Sequence, residues 1–252
     1  PSYGAAVISR VLEKAGFNVA VLAQPDWKNI DSFKEFGKPR LAFLVTGGNM
    51  DSMVSNYTAA RRLRSKDVYS PDGKTGRRPD RASIVYSAAI KQAFKKVPII
   101  IGGMEASLRR FSHFDFWSSK LRRSILLDSK ADMLVYGMGE NQIVEIARYL
   151  NDGKRIKEIH NVRGTVYSSS TEPQIDDAIK LPDYKIISSD KKEFARSFKI
   201  QHENTDPYTG KVLIEKYERE WIVQNPASFP LNTEALDEVY ELPYMRSAHP
   251  IY

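Results

Sequence analysis

No cysteine occurs among the 252 residues, so the chain has no disulfide and no thiolate with which to hold a metal or an iron–sulfur cluster. No apolar run approaches the ~20 residues that would span a bilayer, and internal repeats and low-complexity tracts are also missing. An initiating methionine is absent too: the first residue is Pro1. These absences point away from a disulfide scaffold, a membrane span or a repeat array, and a cytoplasmic setting is the expectation. What is present is ordinary globular composition, 42% apolar and 27% charged, enough for one large domain or a domain with an appendage.

Charge is uneven. Residues 61–130 hold seventeen Lys/Arg against six Asp/Glu, a balance of +11, while the remainder sums to −4. Such a stretch suits phosphates or nucleic acid, although a solvated basic face is the commoner meaning.

Periodicity alternates along the first 150 residues. Tyr3–Gly16 has helical spacing and ends on a glycine. Asn18–Gln24 reads as a short strand, Ile30–Phe36 as a helix, Arg40–Thr46 as a strand, and Asn49–Arg64 as a helix capped by Asn49 or Asp51. After a turn-rich loop, Asp80 is placed to cap a helix over Arg81–Lys96. Val97–Ile101 and Asp132–Tyr136 read as strands, with helical stretches within Phe116–Leu127 and over Gly139–Gly153. Strands apolar on both faces, alternating with helices, predict an α/β fold with a doubly wound parallel sheet. Such folds open on a strand and this chain opens on a helix, so a first strand is expected before Pro1. From about residue 155 the pattern changes to a C-terminal α+β extension: a short strand and loop, a polar helix over Ser188–Asn204, two strands at Lys211–Tyr217 and Glu220–Gln224, and a last short helix. The division is placed at 1–154 and 155–252.

Three strands end in comparable loops, Thr46-Gly-Gly-Asn49, Gly102-Gly-Met-Glu-Ala-Ser107 and Gly137-Met-Gly-Glu140. In an open parallel sheet such ends share one edge, and ligands bind there. Glycine admits a ligand or a neighbouring backbone closely, and following helix starts favour anions. The candidate binding residues are Thr46, Asn49, Gly102, Gly103, Glu105, Ser107, Gly137, Gly139 and Glu140, with Arg109 and Arg110 at the rim. The phosphate-loop ending at Asp72-Gly-Lys-Thr75 lacks its first glycine and a preceding strand, and Gly137-Met-Gly139 lacks the third glycine of a dinucleotide fingerprint. His113 and Asp115 have no third partner at ligand spacing, and His160, His202 and His249 stand alone, so no catalytic or metal residue is assigned. Phe111, Phe114, Phe116 and Trp117 lie among paired arginines, an interleaving that stacks bases in some proteins and anchors cores in more.

The blocks GNMDSMVSNYTAARRLRSKDVYSPDGKTGRRPDRASIVY, VPIIIGGMEASLRRFSHFDFWSSKLRRSILLDSKADMLVYGMGE and FPLNTEALDEVYELPYMRSAHPIY closely resemble YgiQ-type radical SAM proteins. The loops IIIGGMEAS and LVYGMGE also look like a cobalamin-binding-type domain ahead of a radical SAM core. The resemblance implies the front part of a longer enzyme, whose 4Fe–4S cluster and S-adenosylmethionine belong to a barrel beyond this segment. It also implies that this segment alone does not perform the radical reaction. The expected partner is the parent's own C-terminal radical SAM domain, with a substrate of unknown identity, phosphate-bearing or nucleic acid among the options, and no membrane. Cobalt-coordinating domains of this kind use a histidine in an Asp-x-His-x-x-Gly loop after the first strand; that loop is not in this sequence, so the fold can be cobalamin-like without cobalamin. Two other readings compete: an RNA- or polyanion-binding module using residues 61–130, and a structural platform whose crevice binds nothing.

Overall fold

The computed structural model describes residues 3–247 and 249–251. The expected first strand before Pro1 lies outside them. Helix α1 (Tyr3–Lys14) stops where Gly16 takes a positive φ of 89°, as its sequence predicts. A single 3-10 turn follows at Ile30–Lys34, capped by Asn29. Then come β1 (Phe43–Thr46), α2 (Ser52–Asn56), α3 (Ala82–Ala93), β2 (Ile99–Gly102) and α4 (Gly103–Ser107). A small hairpin of β3 (His113–Asp115) and β4 (Lys120–Arg122) leads to α5 (Ile125–Ser129), β5 (Met133–Val135) and α6 (Glu140–Asn151). The rest of the chain supplies β6 (Thr165–Ser169), β7 (Ile179–Lys180), α7 (Tyr184–Ser189), α8 (Lys191–Glu203), β8 (Leu213–Lys216), β9 (Trp221–Gln224) and α9 (Thr233–Tyr240).

Seven strands form one sheet in the order β1-β2-β5-β6-β9-β8-β7. β1, β2 and β5 are parallel neighbours; β6, β9 and β8 join antiparallel, and β7 pairs parallel with β8. The α/β reading holds, and the later segment does more than pack against the sheet: it extends it. Strand β2 explains why both faces must be covered. Ile99 and Ile101 enter one core cluster with Ala89 and Ile90 of α3 and with Leu126 of α5. Ile100 points the other way, into a cluster with Leu12 of α1 and Ile143 and Ile146 of α6. Each such fully buried aliphatic side chain contributes about 1.5–3 kcal/mol.

Several elements depart from the sequence expectations for identifiable reasons. Asn18–Gln24 forms no strand: Val19 and Leu22 pack on different clusters, and among the described residues no ladder takes up the free edge of β1. The helix expected over Asn49–Arg64 is only α2, which Asp51 caps by accepting from the Met53 and Val54 amides. Asn56 and Tyr57 are instead drawn to the Asp80 carboxylate, and Tyr57 bridges to Leu63. Asp80 therefore does not cap α3, whose N-cap position is Arg81 in the left-handed region. Within Phe116–Leu127, β4 and only the start of α5 are found, with Ser124 as the cap. No helix is long and apolar enough to cross a membrane among the described residues.

Candidate functional site

The carboxyl ends of β1, β2 and β5 lie side by side on one border, with Thr46 in register with Gly102. The three glycine loops therefore meet as the parallel arrangement requires. Close approach explains two glycines. Gly103 has φ +77°, and a Cβ there would sit 2.5 Å from Thr46 Oγ1. A Cβ on Gly47 would lie 2.9 Å from Glu105 Oε2.

Glu105 is buried beneath these tips. Its two oxygens accept from the amides of Ser52 and Ser83, each at 2.8 Å, so one carboxylate caps α2 and α3 together. Ser52 Oγ takes the neighbouring Ala82 amide at 3.0 Å. A carboxylate held by two helix starts is well stabilised by their partial positive charge. This fixes Glu105 as a support of the border.

The arginines are similarly engaged. Arg109 pairs with Asp51 and donates to the Glu105 carbonyl at 3.2 Å. Arg110 donates to the Ser107 carbonyl at 2.7 Å and to Gln224 Oε1 at 2.5 Å, and lies over the Tyr136 ring. Burial pulls its pKa down and pushes that of Tyr136 up, and the Tyr136 hydroxyl donates to the Asn225 carbonyl at 2.5 Å. Arg110 thereby ties the β2 loop to the end of β9. Arg78, visible in sequence only as half of an arginine pair, is buried 3.5 Å from Asp67 and donates to Ser55 Oγ and to the Gly47 carbonyl. Sequence reasoning had no means of finding it, because its partner and its burial depend on a long loop folding back under β1.

The upper surface is open. Gly103, Gly137 and Asn49 are exposed, and Thr46, Gly102, Ser107, Gly139 and Glu140 are half-buried. Around them Met104, Leu108 and Met138 are 53%, 65% and 57% exposed. Nearby, at the start of β6, Gly164 lies against Ser228 and Gln142, whose Oγ and Oε1 are buried without hydrogen-bond partners. Exposed apolar side chains beside polar glycine tips can receive a ligand or another folded unit.

Elsewhere the chemistry is structural. His113 is half-buried near Arg109 and Arg122, and its partial desolvation first of all lowers its pKa to about 4; its Nδ1–H meets the Phe111 carbonyl at 3.1 Å. Glu215 on β8 is fully buried, which raises its pKa to about 7. It accepts from the Ser112 amide at 2.9 Å and from the Tyr217 hydroxyl, which also takes the Ser124 amide. Among the described residues no three His, Asp or Glu side chains gather as a metal site. With no cysteine in the sequence, the donor set does not fit an iron–sulfur cluster, and no histidine stands at the three tips to meet cobalt.

Fold and border together define the class: an α/β domain whose parallel strands end side by side in glycine-tipped turns. The chain belongs to the radical SAM N-terminal family, whose model matches residues 1–252. It is similar to a UPF0313 protein of Clostridium perfringens (strain SM101), 53% identical over 252 residues that make up all of this chain and 38% of the relative. A UPF0313 protein of Clostridium botulinum (strain ATCC 19397) is 52% identical over the same length, 39% of that protein. The chain thus spans about two fifths of the curated relatives it matches. No solved structure matches.

Proposed function

We propose that this chain is the accessory front unit of a radical SAM enzyme, and that its glycine-tipped border closes against the remainder of the parent protein around a substrate or cofactor. In this reading the cluster and S-adenosylmethionine are held by the remainder. Thr46, Asn49, Gly102, Gly103, Ser107, Gly137, Gly139 and Glu140 face the enclosed space. Glu105, Arg109 and Arg110 hold those loops in place from beneath. Residues 1–154 form the crevice-bearing unit and 155–252 the extension toward the barrel.

The observation that carries the reading is the trio Met104 in α4, Leu108 at its end and Met138 after β5, each more than half exposed. Apolar side chains clustered on the ligand-bearing border of an α/β sheet mark a surface that is covered in the working protein. A photo-crosslinking residue at position 138 of the full-length parent tests it. Adducts to peptides beyond residue 252 are expected. Adducts confined to other molecules, or none, count against the reading.

A further inference from the structure

The opposite border, where β1, β2 and β5 begin, has a different character. A cleft of about 330 Å3 opens there, lined by Lys91, Lys95, Lys96, Asp132, Phe94 and Pro98, among others. The strand starts and the ends of α3 and α6 bring more cations to the same border. Lys38 and Arg40 precede β1, Lys130 precedes β5, and Lys154 and Lys157 follow α6. The hydrogen bond from Arg40 to Asn151 Oδ1, 2.9 Å, confirms that the start of β1 and the end of α6 are adjacent. All these cations are exposed, and none has a carboxylate partner among the described residues.

Part of this charge is helix chemistry: Lys91 donates to the Lys130 carbonyl. Lys95 and Lys96 are not used in that way. Lys96 and Lys130 also sit at φ 61° and 55°, turn positions where glycine would be free of strain. The acids of the border are outnumbered: Asp132, Asp152 and Glu158 stand against the eight cations named above, and Glu158 is already paired with Arg155.

We infer that this border binds the phosphate backbone of a single-stranded nucleic acid, with the Lys91–Lys95–Lys96 cleft seating one nucleotide and the flanking cations tracking its neighbours. Lysines are point charges on flexible stems and suit phosphates arriving in sequence, whereas carboxylate partners are met better by the planar fork of arginine. The walls supplied by Phe94 and Pro98 give the cleft an apolar side for a ribose or base. A concave surface also suits a strand better than a bilayer, which needs protruding apolar groups. This inference is independent of the crevice reading, since it uses the other end of the strands.

The test is binding of a fluorescein-labelled 20-nucleotide oligouridylate to the full-length parent across a salt series. Affinity is expected to fall steeply with salt, with a log–log slope of about −0.7 for each phosphate neutralised. Lys95→Gln with Lys96→Gln should weaken binding about tenfold at low salt and reduce the slope by about 1.4. Lys154→Gln with Lys157→Gln, a second pair remote from the cleft, should weaken it by a smaller factor. Arg62→Gln with Arg77→Gln, two exposed arginines of the same basic stretch but beyond this border, should change it less than twofold. The inference is overturned by no binding at low salt, or by unchanged binding in the Lys95/Lys96 variant. It also fails if phosphatidylglycerol vesicles or uridine monophosphate bind as tightly as the oligomer.

Discussion

Above the carboxyl ends of the strands, Arg78, Arg81, Arg109 and Arg122 each lie against a carboxylate, those of Asp67, Asp115, Asp51 and Asp128. Beneath the amino ends, Lys38, Lys95, Lys96 and Lys154 meet no acid among the described residues and stand in solvent. The basic stretch 61–130 contributes to both borders, so its net charge alone describes neither. On one side guanidinium forks are spent on holding loops together; on the other, ammonium groups are left over. Position relative to the strand ends, more than charge, separates structure from surface.

That contrast can be broken most sharply at Glu105. Replacing it by alanine leaves two buried amides unpaired and should cost about 4 kcal/mol, read from urea unfolding. Glu215 tests whether burial itself, away from either border, is the source of cost. Its folded pKa of about 7 lies above the ordinary 4.5. The folded state therefore holds its proton longer than the unfolded state. Stability from this group is complete below about pH 4.5, falls as pH rises and levels off above about pH 7, a loss on the order of 3 kcal/mol. Glu215→Gln should remove that slope and be the more stable form at pH 8, as thermal melts at pH 5 and 8 would report. Gly103→Ala, which meets Thr46 Oγ1 at positive φ, should cost about 2 kcal/mol. Lys95→Gln with Lys96→Gln should stay within about 0.5 kcal/mol of the native chain, because neither ammonium is tied into the fold. A loss comparable to that of Gly103→Ala would erase the distinction between the borders.

Much of the frame was legible because burial writes a simple pattern. The runs at Val97–Ile101 and Asp132–Tyr136 are apolar on both faces, and α6 keeps its apolar positions on one side. The glycine tips were legible for the same reason: parallel strands end on one border. The arginine network was not. Arg109 follows the loop in sequence and reads as a rim residue, yet Asp51, 58 positions earlier, draws it inward. Nor could the sequence reveal that α3 is capped by Glu105 from a later element, since the local candidate, Asp80, is taken by Asn56 and Tyr57. Asn18–Gln24 carried strand-like residues, but a strand needs a ladder partner as well as a pattern. The basic cleft went unseen because Lys91, Lys95 and Lys96 follow one another along the chain, while its other wall, Asp132 and Ile156, comes from later elements.

The account depends above all on the carboxyl border being covered in the parent protein while the amino border is not. Hydroxyl-radical footprinting of the full-length parent reads this directly at Met104 and Met138. Oxidation as slow as at the fully buried Met133 is the predicted result. Oxidation of both at the rate of freely exposed methionine would contradict it.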